Sequence, residues 1–141
     1  MASAKPRLLL VDDDPSLLRL LTLRLEGEGY QVISADSAEA ALPLLAKSSI
    51  DVVLSDLRMP GLDGMSLFDE IAKRYPGLPV VLMTAHGSIP EAVAATQRGV
   101  FGFLTKPVNN TELRDILQRA VCQSVPEQAS WREDIITRSA K

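Results

Sequence analysis

Four short apolar runs in this chain each lead into a residue that can do chemistry. Leu8-Leu-Leu-Val11 is followed by Asp12-Asp13-Asp14, and Asp51-Val-Val-Leu-Ser ends in Asp56. Val80-Val-Leu-Met83 meets Thr84, and Phe101-Gly-Phe-Leu104 meets Thr105-Lys106-Pro107. Acids for a hard cation, one further acid, a hydroxyl and an ammonium suit the holding and reading of a phosphoryl group. Mg²⁺ takes near-octahedral oxygen ligands from a few carboxylates, waters and phosphate oxygens. Asp12, Asp13 and Asp56 can supply the protein's share, and the backbone carbonyl of Arg58 can add one more oxygen while its side chain points elsewhere. Asp56 is the candidate nucleophile, since a carboxylate can attack phosphorus in line and become an acyl phosphate. Positioning and charge neutralisation do most of the work in such a transfer. Lys106 would pair with Asp56 at rest and with a phosphoryl oxygen afterwards, as a point charge. The Thr84 hydroxyl would donate to that same oxygen.

Each residue also has a plainer reading. Asp12 to Asp14 can be an acidic helix-capping turn, and Asp14, directly before Pro15, is expected to be only a cap. Asp56 can face solvent, Lys106 can be a solvated surface charge, and a threonine at a strand end is unremarkable. The weight therefore rests on the set. Three consecutive aspartates exceed what capping needs, and Asp56 matches them. Alternation places Phe101 and Phe103 on the same side of one strand, with Phe101 read as core and Phe103 as a side chain that can swing as Thr84 moves. His86, alone in a loop beside Gly87, is expected to be structural or exposed.

The elements that must position these groups follow from periodicity. Strands are expected at Leu8–Val11, Gln31–Ser34 (more polar, nearer an edge), Asp51–Asp56, Leu78–Met83 and Val100–Leu104. Between them lie segments of helical period. Leu17, Leu18, Leu21 and Leu25 stripe the first, which Gly29 closes. Ser37 caps the second, in which Pro43 should kink or shorten the helix, because an interior proline costs ~3 kcal/mol. Met65, Phe68, Ile71 and Ala72 line the third, after the turn-rich Met59-Pro-Gly-Leu-Asp-Gly64. Ser88-Ile-Pro-Glu91 has the form of a capping box for a fourth helix of small residues ending at Gly99. Asn109-Asn110 precede the last, with Leu113, Ile116, Leu117, Ala120 and Val121. Apolar strands alternating with amphipathic helices predict an α/β fold, a parallel sheet covered on both faces. Ligands in such folds sit outside the carboxyl ends of the strands, where all four polar clusters fall.

The 141 residues suffice for one domain with a proper core. The net charge of −3 gives no reason for this segment to grip nucleic acid or an anionic membrane. A single cysteine, Cys122, excludes an intrachain disulfide and a zinc cluster and fits a reducing, cytoplasmic setting. The N-terminus lacks an apolar signal core, and no apolar stretch approaches the ~20 residues of a membrane span. From Gln123 to Ser130 periodicity stops, and the stretch reads as linker.

Taken in order, Leu-Leu-Val11-Asp12-Asp13, Asp56-Leu-Arg-Met-Pro60-Gly61-Leu-Asp63-Gly64, Met83-Thr84-Ala85 and Lys106-Pro107 resemble the receiver domain of two-component response regulators. The likeness spans about residues 5–122. It implies a flavodoxin/CheY-like (βα)₅ fold with strand order 2-1-3-4-5. It also implies that Asp56 accepts a phosphoryl group from a sensor histidine kinase, that Asp12 and Asp13 hold Mg²⁺, and that Thr84, Phe103 and Lys106 act as switch residues. Leu57-Arg-Met-Pro60, Met83-Thr-Ala-His-Gly87 and the small-residue fourth helix are similar to NtrC-type regulators, activators of σ54-dependent transcription. The tail, Trp131 to Ser139, resembles the lead-in to their central AAA+ domain, with a likeness to the GlrR type. Residues 123–141 are then a linker toward AAA+ and DNA-binding domains. A homodimer through the fourth helix, fifth strand and fifth helix is the expected self-association. Two rivals are a phosphohydrolase with an aspartyl-phosphate intermediate and a binding module that does not use phosphorylation. The first would need an acid where Arg58 stands, and the second leaves the assembled reactive groups without a use.

Overall fold

Ten elements alternate along the chain: β1 (Arg7–Val11), α1 (Pro15–Gly27), β2 (Gln31–Ala35), α2 (Ala38–Lys47), β3 (Val52–Asp56), α3 (Gly64–Arg74), β4 (Val80–Thr84), α4 (Ile89–Gln97), β5 (Gly102–Thr105) and α5 (Asn110–Ser124). The computed structural model describes residues 5–85 and 89–124. His86 and the Ser88 half of the expected capping box lie outside them, as do the tail residues from Val125 onward. The five strands form one parallel sheet in the order β2-β1-β3-β4-β5, as the family likeness implies.

Strand alternation divides the core in two. Leu9, Val11, Val53 and Leu82 face one side, where they meet Ala38, Ala41 and Leu45 of α2, Leu67, Phe68 and Ile71 of α3, and Ala95 of α4. Leu8, Leu10, Leu54, Val81 and Met83 face the other, against Leu21 and Leu25 of α1 and Leu113, Leu117 and Ala120 of α5. Both faces of β3 and β4 are buried along their whole length, which is why their sequences are continuous apolar runs.

The local signals mostly act as expected. Asp14 caps α1, accepting from the Ser16 and Leu17 N–H groups. Ser37 caps α2 through Ala40 N–H, and Asp63 caps α3 through Ser66 N–H. Asn109 caps α5, its side-chain oxygen accepting from Thr111 and Glu112 N–H. Three expectations change. α2 runs past Pro43 to Lys47, held by the burial of Ala38, Ala41 and Leu45, so the proline does not end it. Phe101 and Phe103 do not share a side: Phe103 packs on the α2–α3–α4 face and Phe101 on the α1–α5 face. β5 begins only at Gly102, so strand alternation does not reach back to Phe101. α5 also extends through Ser124, two residues into the stretch read as linker.

One close approach governs the loop after β3. Gly64 N–H donates to Leu57 O at 2.9 Å, closing the loop on itself. A Cβ at Gly64 would stand 2.4 Å from Asp56 O and 2.9 Å from Leu57 Cα, both main-chain atoms that cannot turn aside. Gly64→Ala should therefore displace the end of β3. We expect a loss of roughly 1–3 kcal/mol, the usual cost of overpacking, measured by urea unfolding.

Candidate functional site

Register brings the polar ends together. Val11 pairs with Ser55, so Asp12 and Asp56 leave neighbouring strands side by side. Asp56 pairs with Met83, and Thr84 with Thr105, so Thr84 and Lys106 complete the same edge. Asp12 N–H donates to Ala35 O at 3.2 Å, and Asp12 Oδ1 accepts from Asp14 N–H at 2.9 Å. These bonds curl the chain so that Asp13 turns outward. Lys106 N–H donates to Thr84 O at 2.8 Å, and the Lys106–Pro107 peptide is cis.

Asp12, Asp13 and Asp56 each offer a carboxylate oxygen, and these atoms lie within 4.8 Å of one another. Asp12 is 0% exposed and Asp56 7%, whereas Asp13 is open to solvent. Lys106 Nζ stands 3.2 Å from Asp56 Oδ2 and 3.3 Å from Asp12 Oδ2, so one ammonium serves two buried acids. Its pairing with Asp56 follows the sequence expectation; the equal hold on Asp12 was not anticipated.

The remaining candidates surround this cluster without all touching it. Thr84 is buried on the same edge, but its hydroxyl donates to Ala85 O at 3.2 Å. Phe103, half-buried, packs on the neighbouring core rather than on the acids. Arg58 forms an ion pair through its guanidinium with Glu91 of α4. Sequence reading gave Glu91 to a capping box and missed its pairing with Arg58, since an acid 33 residues away carries no mark of that partner. It also missed Glu39 of α2, whose Oε2 accepts from Leu62 N–H at 3.2 Å and so holds the loop after β3. The signal there was Gly61, whose φ of +75° and lack of Cβ leave room for that carboxylate.

Burial raises the Asp56 pKa above the ordinary carboxylate value, Lys106 opposes the rise and the Asp12 charge adds to it. For Lys106, burial alone would lower the pKa, but the facing Asp56 and Asp12 carboxylates outweigh it and the net direction is up. The two directions look opposed for one ion pair: the lysine gains from it while the aspartate still loses. Burial reconciles them: desolvation is the largest influence on Asp56 and outweighs the Lys106 charge, and the Asp12 charge adds to the rise. The excess negative charge and the all-oxygen donor set fit a small, hard divalent cation.

The profile of the response regulator receiver domain matches residues 8–118. The chain belongs to that family. This receiver domain is 57% identical over 139 residues to the transcriptional regulatory protein GlrR of Escherichia coli (strain K12), covering 97% of this chain and 31% of that protein. It is 40% identical over 118 residues to the DNA-binding transcriptional regulator NtrC of Salmonella typhimurium, covering 84% of this chain and 25% of that protein. A response regulator receiver domain protein from Clostridium thermocellum superposes with a TM-score of 0.81 at 33% identity, over 84% of this chain and 95% of the other. The chain thus spans between a quarter and a third of the length of GlrR and NtrC. A receiver domain is a phosphoacceptor and a phosphorylation-dependent switch within a response regulator. No helix among the described residues is long and apolar enough to cross a membrane.

Because the folded state raises the Asp56 pKa, ionising Asp56 costs stability, and that cost is present once the pH exceeds the folded value. Asp56→Asn should therefore raise the melting temperature of the metal-free receiver domain at pH 7, by a few degrees for each kcal/mol relieved. The gain should shrink as the pH falls through the raised value and vanish below the ordinary carboxylate range. Thermal melts of both proteins across pH 3–7 in EDTA measure it.

Proposed function

We propose that Asp56 is the phosphoacceptor of this receiver domain, taking its phosphoryl group from the phosphohistidine of a sensor histidine kinase. The observation that carries the reading is the shared ammonium: Lys106 Nζ lies within 3.3 Å of both Asp56 and Asp12, with Asp13 beside them. Asp12, Asp13, Asp56 and the Arg58 carbonyl would hold Mg²⁺. When bound, the ion supplies positive charge against the attacking and incoming oxygens.

The chain's own groups do the rest. An Asp56 Oδ attacks phosphorus in line, and the phosphorus–nitrogen bond to the donor imidazole breaks with its electron pair leaving on nitrogen. Lys106, already against Asp56 Oδ2, needs only a small shift to meet a phosphoryl oxygen. The Thr84 hydroxyl would exchange Ala85 O for that oxygen, and Phe103 would follow into the space this leaves. A partner that favours the rearranged face then shifts the population toward it, by no more than its difference in affinity for the two forms.

Residues 5–122 form the receiver in this reading, and 123–141 lead toward AAA+ and DNA-binding domains such as an NtrC-type σ54 activator carries. The protein works in the cytoplasm, and self-association runs through α4, β5 and α5. Hydrolysis is confined to the domain's own phosphate. At the position where a phosphohydrolase would place its second acid stands Arg58, whose side chain is paired with Glu91.

Acetyl phosphate with Mg²⁺ should add a single phosphoryl group to the intact chain, visible by mass spectrometry. Asp56→Asn should abolish it; continued single-site labelling of that variant would sink the assignment. Asp13→Asn should weaken Mg²⁺ binding by at least about tenfold, since even the loss of an outer-shell partner costs that much. Thr84→Ala should still be labelled but should no longer change molecular mass in solution when beryllofluoride is added.

A further inference from the structure

The loop after β3 is fastened at a neck and at a tip. At the neck, Leu57 N–H donates to Met83 O at 2.8 Å, and Gly64 N–H returns to Leu57 O at 2.9 Å. At the tip, Leu62 N–H donates to Glu39 Oε2 of α2 at 3.2 Å, a bond between residues 23 apart in sequence. The backbone there is shaped for that carboxylate. Gly61 has a φ of +75°, and a Cβ on it would stand 2.9 Å from the same Oε2. Glu39 lies in the first turn of α2, just after the Ser37 cap, where the positive end of a helix favours an acidic side chain. α2 is itself anchored, with Ala38, Ala41 and Leu45 buried in the core. The tip of the loop is thus tied to a packed helix that carries none of the three clustered acids.

We propose that Glu39 is a positioning residue for the metal site, acting through the main chain of the loop after β3 rather than through its own charge. The proposal rests on the reading that Asp12, Asp13, Asp56 and the Arg58 carbonyl hold Mg²⁺. Of these, Arg58 alone lies inside the loop, between the neck at Leu57 and the tip at Leu62. A carboxylate can turn about its side chain to meet an ion, whereas a carbonyl goes only where its backbone goes. Its value to a cation that demands near-octahedral ligands therefore depends on how the loop is held. Met59, buried directly after Arg58, restrains one flank. Glu39 restrains the turn through Gly61 and Leu62, which sets the tilt of the loop about its neck. Without that bond the tip gains freedom, and ordering it again on metal binding costs affinity.

Two NMR measurements on wild type, Glu39→Ala and Glu39→Gln test this. Hydrogen exchange at Leu62 N–H in EDTA reports the bond, and a Mg²⁺ titration followed by the amide shifts around Asp56 reports affinity. Glu39→Ala should speed Leu62 exchange and weaken Mg²⁺ binding, each by roughly two- to tenfold, the span of an ordinary hydrogen bond. Glu39→Gln keeps an oxygen that can accept and should stay within about twofold of wild type in both. A purely structural contact would change the exchange and leave the Mg²⁺ affinity alone, and that result overturns the proposal. So does a Glu39→Gln protein that binds Mg²⁺ as weakly as Glu39→Ala, which would make the effect one of long-range charge. Unchanged Leu62 exchange in Glu39→Ala overturns it as well. Amide shifts around Asp56 that do not respond to Mg²⁺ in wild type would instead bring down the metal site itself, and this proposal with it.

Discussion

Two carboxylates buried against one ammonium set the terms for the whole molecule. Asp12 and Asp56 end adjacent strands deep enough to be almost free of solvent, and Lys106 is shared between them. In water such a group would separate. Here the sheet register forces it together, and the stability of the apolar core on both faces offsets the cost. The site is thereby left with more negative than positive charge, and that imbalance belongs to the set rather than to any single residue.

The apolar scaffold is built to sustain the imbalance. β3 and β4 are covered on both faces, so their main-chain positions cannot relax when charge accumulates at their ends. Caps at Asp14, Asp63 and Asn109 fix where the loops at that edge turn into helix. Gly64 lets the first turn of α3 press against the carbonyl of Asp56 itself, so the backbone of Asp56 is clamped from behind.

Much of this was legible in the residues. Apolar runs ending in Asp12, Asp56, Thr84 and Lys106 marked strands whose carboxyl ends share an edge, and the sheet places them there. The cap residues announced their helices because Ser, Asp and Asn accept from the first free N–H groups by a local rule. What stayed hidden was non-local. Nothing near Glu91 or Glu39 in the chain marks either as a partner of the loop after β3, since each contact depends on how helices settle on the sheet. Phe101 and Phe103 were misjudged for a related reason: period-two alternation holds only inside a strand, and the start of β5 depends on its pairing with β4. Pro43 was judged by a local cost that tertiary burial overrides.

The bond from Lys106 N–H to Thr84 O has a mechanical meaning. It extends the β4–β5 pairing one residue beyond β5, joining the peptide groups of two residues that stand on the same edge of the sheet as Asp56. Neither can be pulled inward without tugging on the other's strand. A tug on Thr84 thus arrives at β5 as strain in the backbone, and reaches the outermost edge of the sheet without a relay of side chains.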